Sequence, residues 1–200
     1  MNTIISANIE FIDNFAFQLL NTMEYIGKRI SIKRTEEGLS IVILALADKL
    51  KNRLLLAWLV LWTLAGMIVF SQYFTITDPN TKIAVIVWMG FWFYFEFKIT
   101  NAWLWRRSGK EVLKIRNNKL EYKRDVSGRG KIQSYSADFI KEIRLLEPKE
   151  SFLESLNNSY WVIAGEKLAF DYYGKEIKLG LQLDDTDAKA LLKVIKGGLK

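Results

Sequence analysis

Two long apolar stretches dominate the hydrophobic pattern of this chain. The first covers residues 54–74 and the second covers residues 83–105. Each is about as long as the roughly 20 apolar residues that a helix needs to cross a bilayer. The connection between them contains Asp78-Pro79-Asn80, a combination that favours a turn and is too short to form a domain. The pattern therefore predicts a transmembrane hairpin with one helix over each stretch.

Basic residues flank the two predicted spans on the side away from the connecting turn. The turn itself contributes only Lys82. Because positively charged flanks resist translocation, we expect both chain termini in the cytoplasm and the basic flanks at the membrane surface. The candidate surface residues are Lys49, Lys51, Arg53, Arg106, Arg107 and Lys110.

Glu96 and Lys98 interrupt the second span and are candidate intramembrane polar residues. One interpretation makes them an intramembrane ion or proton element, since charged groups at depth are costly and usually functional. The other interpretation is a tilted helix in which Lys98 extends to the headgroups and Glu96 is neutralised by protonation or by a partner. Side chains two residues apart on a helix point about 200° from one another, so we expect no local pair between them.

After the second span the pattern changes to a period of two, which is typical of β-strands with one buried face. Leu113 and Ile115 alternate with charged residues, and the following Asn117-Asn118 tolerates the positive φ of a tight turn. The SGRG sequence at 127–130 is interpreted as a second hairpin turn. Strands are predicted over 111–115, 120–124, 131–136, 140–145, 160–164, 168–172 and 177–181, with a long polar loop over 147–159.

A helix is predicted to close the chain. Asp184 or Asp185 can cap its N-terminus, and Gly197-Gly198 marks its end. Its apolar residues recur at steps of three and four and form one stripe, which requires a sheet or the mouth of a barrel to cover it. These residues are Ala188, Leu191, Leu192, Ile195 and Leu199.

Two further elements are predicted before the spans. Residues 28–48 contain two alternating segments around a turn and predict a β-hairpin. Two isolated strands are marginal in water, so we expect this hairpin to join the C-terminal sheet, with the transmembrane hairpin inserted in one β domain. Residues 1–27 have apolar residues at steps of four and three and predict an amphipathic helix ending at Gly27. A partner protein or the β domain is expected to cover it.

The composition narrows the chemistry that the chain can perform. Its 200 residues include no His and no Cys, which removes the commonest general base, the thiolate nucleophile and the usual ligands of zinc and haem. The acidic residues Asp184, Asp185 and Asp187 are interpreted as helix-capping residues rather than a cation site. We therefore expect a non-enzymatic protein with no cofactor and no metal site.

The net charge of +7 comes mainly from the C-terminal part of the chain. Residues 106–200 hold 20 basic and 14 acidic residues. A mildly basic domain suits the anionic cytoplasmic leaflet of a membrane. The basic residues are spread through predicted strands rather than clustered, so we expect no nucleic-acid partner.

Several sequence segments, in their order along residues 29–196, resemble a family of small bacterial membrane proteins common in cyanobacteria. They are RTEEGLSIVI at 34–43, WLVLW at 58–62, GKEVLKI at 109–115, IKEIR at 140–144, LAFDYYGKEIKLG at 168–180 and LDDTDAKALL at 183–192. The resemblance implies two spans and a pleckstrin-homology-like domain, a partly open β-barrel of two sheets with one end closed by a C-terminal helix. It implies no activity.

Together these patterns predict an α+β integral membrane protein of the bacterial inner or thylakoid membrane. The transmembrane hairpin is inserted in a pleckstrin-homology-like antiparallel β domain, with residues 109–200 forming its cytoplasmic C-terminal part. We expect a non-catalytic accessory subunit or assembly factor that docks proteins through this domain. Its expected partners are membrane lipids and another membrane protein or complex. The alternative is a receptor-like module that binds a lipid headgroup or a small ligand.

Overall fold

The computed structural model describes residues 23–46, 48–147, 163 and 165–199. The chain divides into two compact units. The β unit contains the described residues of 23–44, 110–147 and 166–199, and the helical unit contains those of 45–109 together with residues 163 and 165. The β unit is therefore interrupted in sequence by the two apolar helices.

Six strands form an antiparallel sheet in which each strand pairs with its neighbours in sequence. Strand β3 pairs with β4 from Leu39↔Ile115 to Leu44↔Lys110, so strands from before and after the helices lie in one sheet. The strands are β1 (Met23–Ile26), β2 (Ile30–Thr35), β3 (Gly38–Leu44), β4 (Gly109–Arg116), β5 (Lys119–Val126) and β6 (Ile132–Ser136).

A second, three-stranded antiparallel sheet follows a 3-10 turn over Ala137–Phe139. It consists of β7 (Ile140–Leu145), β8 (Glu166–Tyr172) and β9 (Lys175–Leu181). The chain then forms α3 (Asp185–Gly198), which begins after Asp184. The β unit is thus built from two antiparallel sheets and one helix.

The core of the β unit lies between the two sheets and α3. Alternate residues of the strands are buried there, because successive side chains of a strand point to opposite faces. The apolar stripe of α3 faces the same core. Its members Ala188, Leu191 and Ile195 are each at most 1% exposed.

The prediction of a helix over residues 1–27 is wrong for its last residues. Residues 1–22 lie outside the described part of the chain, but Met23–Ile26 form β1, which pairs with β2 from Met23↔Lys33 to Ile26↔Ile30. Gly27, with φ of +57°, begins the tight turn between the two strands. Backbone pairing with β2 outweighs the local helical period. The loop predicted over 147–159 and the strand predicted over 160–164 fall almost entirely outside the described residues.

The helical unit contains α1 (Lys49–Tyr73) and α2 (Pro79–Ser108), and both are longer than the predicted spans. Asp48 caps α1 by accepting hydrogen bonds from two backbone amides, and Asp78 caps α2 in the same way through one. At 1.5 Å per residue the helices are about 37 and 45 Å long, against a hydrocarbon core of about 30 Å. Both are long and apolar enough to cross a membrane, and only 17% of the most apolar stretch of each is buried.

Candidate functional site

The six basic residues predicted at the membrane surface occupy different environments. Arg106 is only 3% exposed, so its side chain lies inside the protein. Arg107 is exposed, and its guanidinium carbon lies 5.2 Å from the centroid of the Trp103 ring, within the range of a cation–π contact. Lys110 is half-buried, while the remaining three, Lys49, Lys51 and Arg53, are exposed.

Glu96 faces α1 and is hydrogen-bonded to it. The Thr63 hydroxyl lies 2.8 Å from Glu96 Oε1 and also 2.8 Å from the Leu59 carbonyl oxygen. The single proton of this hydroxyl is shared between the two acceptors, so Thr63 links Glu96 to the backbone of α1. The second carboxyl oxygen, Oε2, is buried and has no hydrogen-bond partner among the described residues. Lys98 is exposed instead, with Nζ 5.6 Å from the Tyr94 ring centroid.

The helices contact one another closely beside this polar pair. The indole Nε1 of Trp92 donates a 3.1 Å hydrogen bond to the Trp62 carbonyl oxygen. The Trp92 ring occupies the space where a side chain at Gly66 would lie. Glycine at this position therefore allows the indole to pack against the backbone of α1.

A second polar cluster lies in the β unit, around the buried carboxylate of Glu111. Glu111 Oε2 accepts hydrogen bonds from the backbone amides of Gly180 and Leu181, at 2.8 and 3.1 Å. Glu111 Oε1 accepts a 2.6 Å hydrogen bond from the Tyr122 hydroxyl and lies 3.3 Å from Arg124 Nε. A buried carboxylate is tolerated only with such complete pairing. Glu111 therefore attaches β4 to the end of β9.

Arginine side chains complete the connection between the two sheets. Arg124 Nη2 donates to Glu166 Oε1 at 2.8 Å and, more weakly, to the Lys178 carbonyl oxygen at 3.4 Å. Arg29 donates to the carbonyl oxygens of Leu181 and Gln182. The outer edge of β9 is thus held by charged side chains from the other sheet.

The electrostatics of this cluster follow from burial and from pairing. Burial, and next the neighbouring Glu111 carboxylate, raise the pKa of the Tyr122 hydroxyl above its ordinary value. Burial alone would lower the pKa of Arg124, but Tyr122, Glu166 and Glu111 outweigh it and raise that pKa. Burial lowers the pKa of Arg29. The cluster therefore contains a neutral phenol between a carboxylate and a permanently charged guanidinium.

A cleft of about 450 Å³ opens beside this cluster, and we call it the β6–β9 cleft. It lies between the edge strands of the two sheets and is open to solvent. Within the described residues, no group of three or more carboxylates is placed to hold a metal ion. The cleft is lined on one side by residues of β5, of β6 and of the turn before β6, and on the other side by residues of β8 and β9: Tyr122, Arg124, Lys131, Gln133, Glu166, Glu176, Ile177 and Lys178.

Neither the cluster nor the cleft is predicted by the sequence. A signal was present, because the period of two places Glu111 on the same strand face as Leu113, and Arg124 on the same face as Leu120 and Tyr122. A charged residue on an apolar strand face indicates a buried polar contact. The family resemblance of the sequence segments stays a prediction, because no family model, no curated protein and no solved structure matches the chain.

Proposed function

We propose that this chain is a non-catalytic integral membrane protein that docks other proteins through its β unit, as an accessory subunit or assembly factor of a membrane complex. The observation that carries the proposal is the β6–β9 cleft. Small-molecule pockets are mostly enclosed and apolar. This cleft is open, is lined mainly by charged side chains and is bordered by two strand edges. Those properties suit a segment of another protein better than a small ligand.

Membrane insertion of α1 and α2 is supported by their exposed apolar side chains. Leu61, Ile68, Phe91 and Phe97 are among the residues more than 60% exposed. Soluble monomeric proteins rarely leave large contiguous apolar surfaces in water. Basic residues lie at the start of α1 and at the end of α2, and this distribution supports an orientation with both chain termini in the cytoplasm of a bacterial cell. Two sheets with a terminal helix across their core support a pleckstrin-homology-like domain.

A second candidate function is the binding of a lipid headgroup or small anionic ligand in the same cleft. One feature of Arg124 favours this function. Its Nη1 makes no hydrogen bond within the described residues, although its Nε and Nη2 are hydrogen-bonded and fix the guanidinium in place. Guanidinium groups suit carboxylate and phosphate oxygens. The cleft is open and is bordered by two strand edges, which suit an extended polypeptide better than a small anion, so protein docking is the better supported function.

The test is co-purification of the tagged full chain from membranes in mild detergent. We expect a stoichiometric protein partner that is retained by Lys193→Glu, a change of an exposed residue on α3, and lost with Lys178→Glu in the cleft. Both changes reverse one exposed charge, so overall charge is controlled. Equal partner recovery with the two variants would contradict docking at the cleft. Recovery of the chain alone with an extracted lipid or metabolite would favour the second candidate.

A further inference from the structure

The outer edge of β6 presents backbone hydrogen-bonding groups that pair with no described strand. At the turn before it, Val126 and Arg129 exchange two backbone hydrogen bonds of 2.9 Å. In an antiparallel ladder the hydrogen-bonded pairs recur at every second residue. Counted from the bonded residue Arg129, the backbone of Gln133 is hydrogen-bonded to β5, whereas the backbones of Ile132 and Ser134 are not. The N–H and C=O groups of Ile132 and Ser134 therefore point away from β5. Within the described part of the chain, no strand pairs with that side.

The five residues of β6 themselves lack the features that usually prevent strands from pairing with other proteins. Such features are charged side chains, proline, bulges and covering side chains. Strand β7 has a bulge between Lys141 and Arg144, and the end of β9 is covered by Glu111 and two arginines. The sequence of β6 is IQSYS, with no charge, proline or glycine, and its Ile132 is 61% exposed. An uncharged open edge of this kind is suited to accept a further strand.

The charge next to β6 is positive and is not neutralised by any carboxylate of the described residues. Arg129 and Lys131 precede the strand, are exposed, and form no ion pair with a described residue. The carboxylates on the opposite side of the cleft are already paired, Glu166 with Arg124 and Glu176 with Arg144, both at 2.8 Å. The charge available to a partner at this edge is therefore cationic.

We propose that an acidic, extended segment of a partner protein docks on β6 as a seventh strand of the sheet. Its backbone bonds to Ile132 and Ser134, and its carboxylates face Arg129 and Lys131. The inference rests on the proposed docking function and specifies its mode. A second copy of this chain would add another uncharged β6 and leave both cations unneutralised, so it fits the edge less well.

The binding test uses the full chain in zwitterionic detergent and a synthetic probe. The probe is a fluorescein-labelled eight-residue peptide that alternates valine with threonine and carries two glutamates at one end. A control peptide carries lysines in place of the glutamates. We expect the glutamate peptide to bind about tenfold more tightly at low salt, with the difference shrinking as salt rises. Equal binding of the two peptides would overturn the charge part of the proposal.

A backbone substitution tests strand addition directly. Proline at 134 removes the outward N–H of Ser134 without breaking a bond to β5, whereas Ser134→Ala keeps that N–H. We expect Ser134→Pro to weaken peptide binding at least tenfold and Ser134→Ala to leave it within about twofold. Lys131→Glu should weaken binding several-fold, and Lys193→Glu should not. Unchanged binding by Ser134→Pro would overturn strand addition.

Hydrogen exchange of the unmodified chain gives a result that does not depend on how the variants fold. We expect the Ile132 and Ser134 amides to exchange rapidly in the free chain and to be protected when the glutamate peptide is added. Protection in the free monomer would show that the edge is already covered and would overturn the proposal. A parent dimer that Ser134→Pro dissociates would identify a second copy as the occupant and overturn the acidic segment.

The two proposals fail in different ways. If a membrane partner co-purifies equally with Ser134→Pro and with the parent, the docking function stands and strand addition at β6 is wrong. If no protein co-purifies with the parent chain, the docking function is wrong whatever the peptide does.

Discussion

The change of Glu111 to glutamine gives the sharpest test of how the two sheets are joined. The carboxylate is 0% exposed and accepts hydrogen bonds from Gly180 N, Leu181 N and the Tyr122 hydroxyl, with Arg124 Nε at 3.3 Å. Glutamine has nearly the same shape but only one acceptor oxygen and no charge. If that oxygen faces the two amides, its NH₂ group faces the phenol and the guanidinium. One side of the cluster then loses its acceptor.

The expected loss of stability follows from these contacts. A hydrogen bond to a charged acceptor contributes about 1.5–3 kcal/mol and a neutral one about 0.5–1.5 kcal/mol, so the two amide bonds together lose about 2 kcal/mol. The contact with Arg124 adds less, about 1 kcal/mol, because that side chain is 38% exposed and solvent screens the pair. Because the Tyr122 hydroxyl also loses its acceptor, we expect Glu111→Gln to lower the free energy of unfolding of the β unit by at least about 3 kcal/mol.

Hydrogen exchange at Gly180 and Leu181 measures this loss where it occurs. A decrease of about 3 kcal/mol corresponds to roughly 100-fold faster exchange at these amides in the full chain in detergent. The matched control is Glu121→Gln, since Glu121 is partly exposed and pairs with Arg116 at 3.5 Å. That change should cost less than about 1 kcal/mol. Exchange of the two amides at the parental rate in Glu111→Gln would refute the reasoning.

Three further predictions concern the phenol of the cluster and the helix pair. Because the pKa of Tyr122 is raised on folding, its contribution to stability is complete below about pH 10 and is lost as the pH rises further. The urea concentration at the unfolding midpoint of the parent should therefore fall between pH 9 and 11, and it should fall less steeply in Tyr122→Phe. An equally steep fall in the parent and the variant would contradict this prediction. Gly66→Ala should displace Trp92 and lower helix-pair stability in detergent by about 1–3 kcal/mol, whereas Gly90→Ala, with open space at its Cβ, should not. Glu96→Gln should keep the hydrogen bond to α1 and the melting temperature of the parent, whereas Glu96→Leu should lower the melting temperature. Equal melting temperatures of the two variants would show that the hydrogen bond contributes nothing to stability.

The sequence alone determined the elements whose pattern is local. Apolar stretches of about 20 residues predicted α1 and α2, and the period of two predicted strands where β2, β3, β4, β5, β8 and β9 are found. The stripe from Ala188 to Leu199 predicted α3. These properties depend on residues a few positions apart, whose side chains share a face because of the geometry of a helix or a strand.

Local helical periodicity failed where pairing with the neighbouring strand was available. The steps of three and four in residues 1–27 predicted a helix, but Met23–Ile26 pair with β2. Glu96 and Lys98 were recognised as unusual from the sequence, since charge in an apolar stretch is visible locally. That Glu96 meets Thr63, and that Lys98 lies over Tyr94, depends on how the helices pack and on side-chain direction.

Only the tertiary structure decided the cluster and the cleft. The alternation in β4 already placed Glu111 on the apolar face, but its partners Gly180 and Leu181 lie about 70 residues further along the chain. Likewise, nothing near Arg29 in sequence indicates that it binds the end of β9. Residues so far apart meet only when two sheets close on one core, and sequence periodicity reports which face a side chain takes but not which strand it will meet.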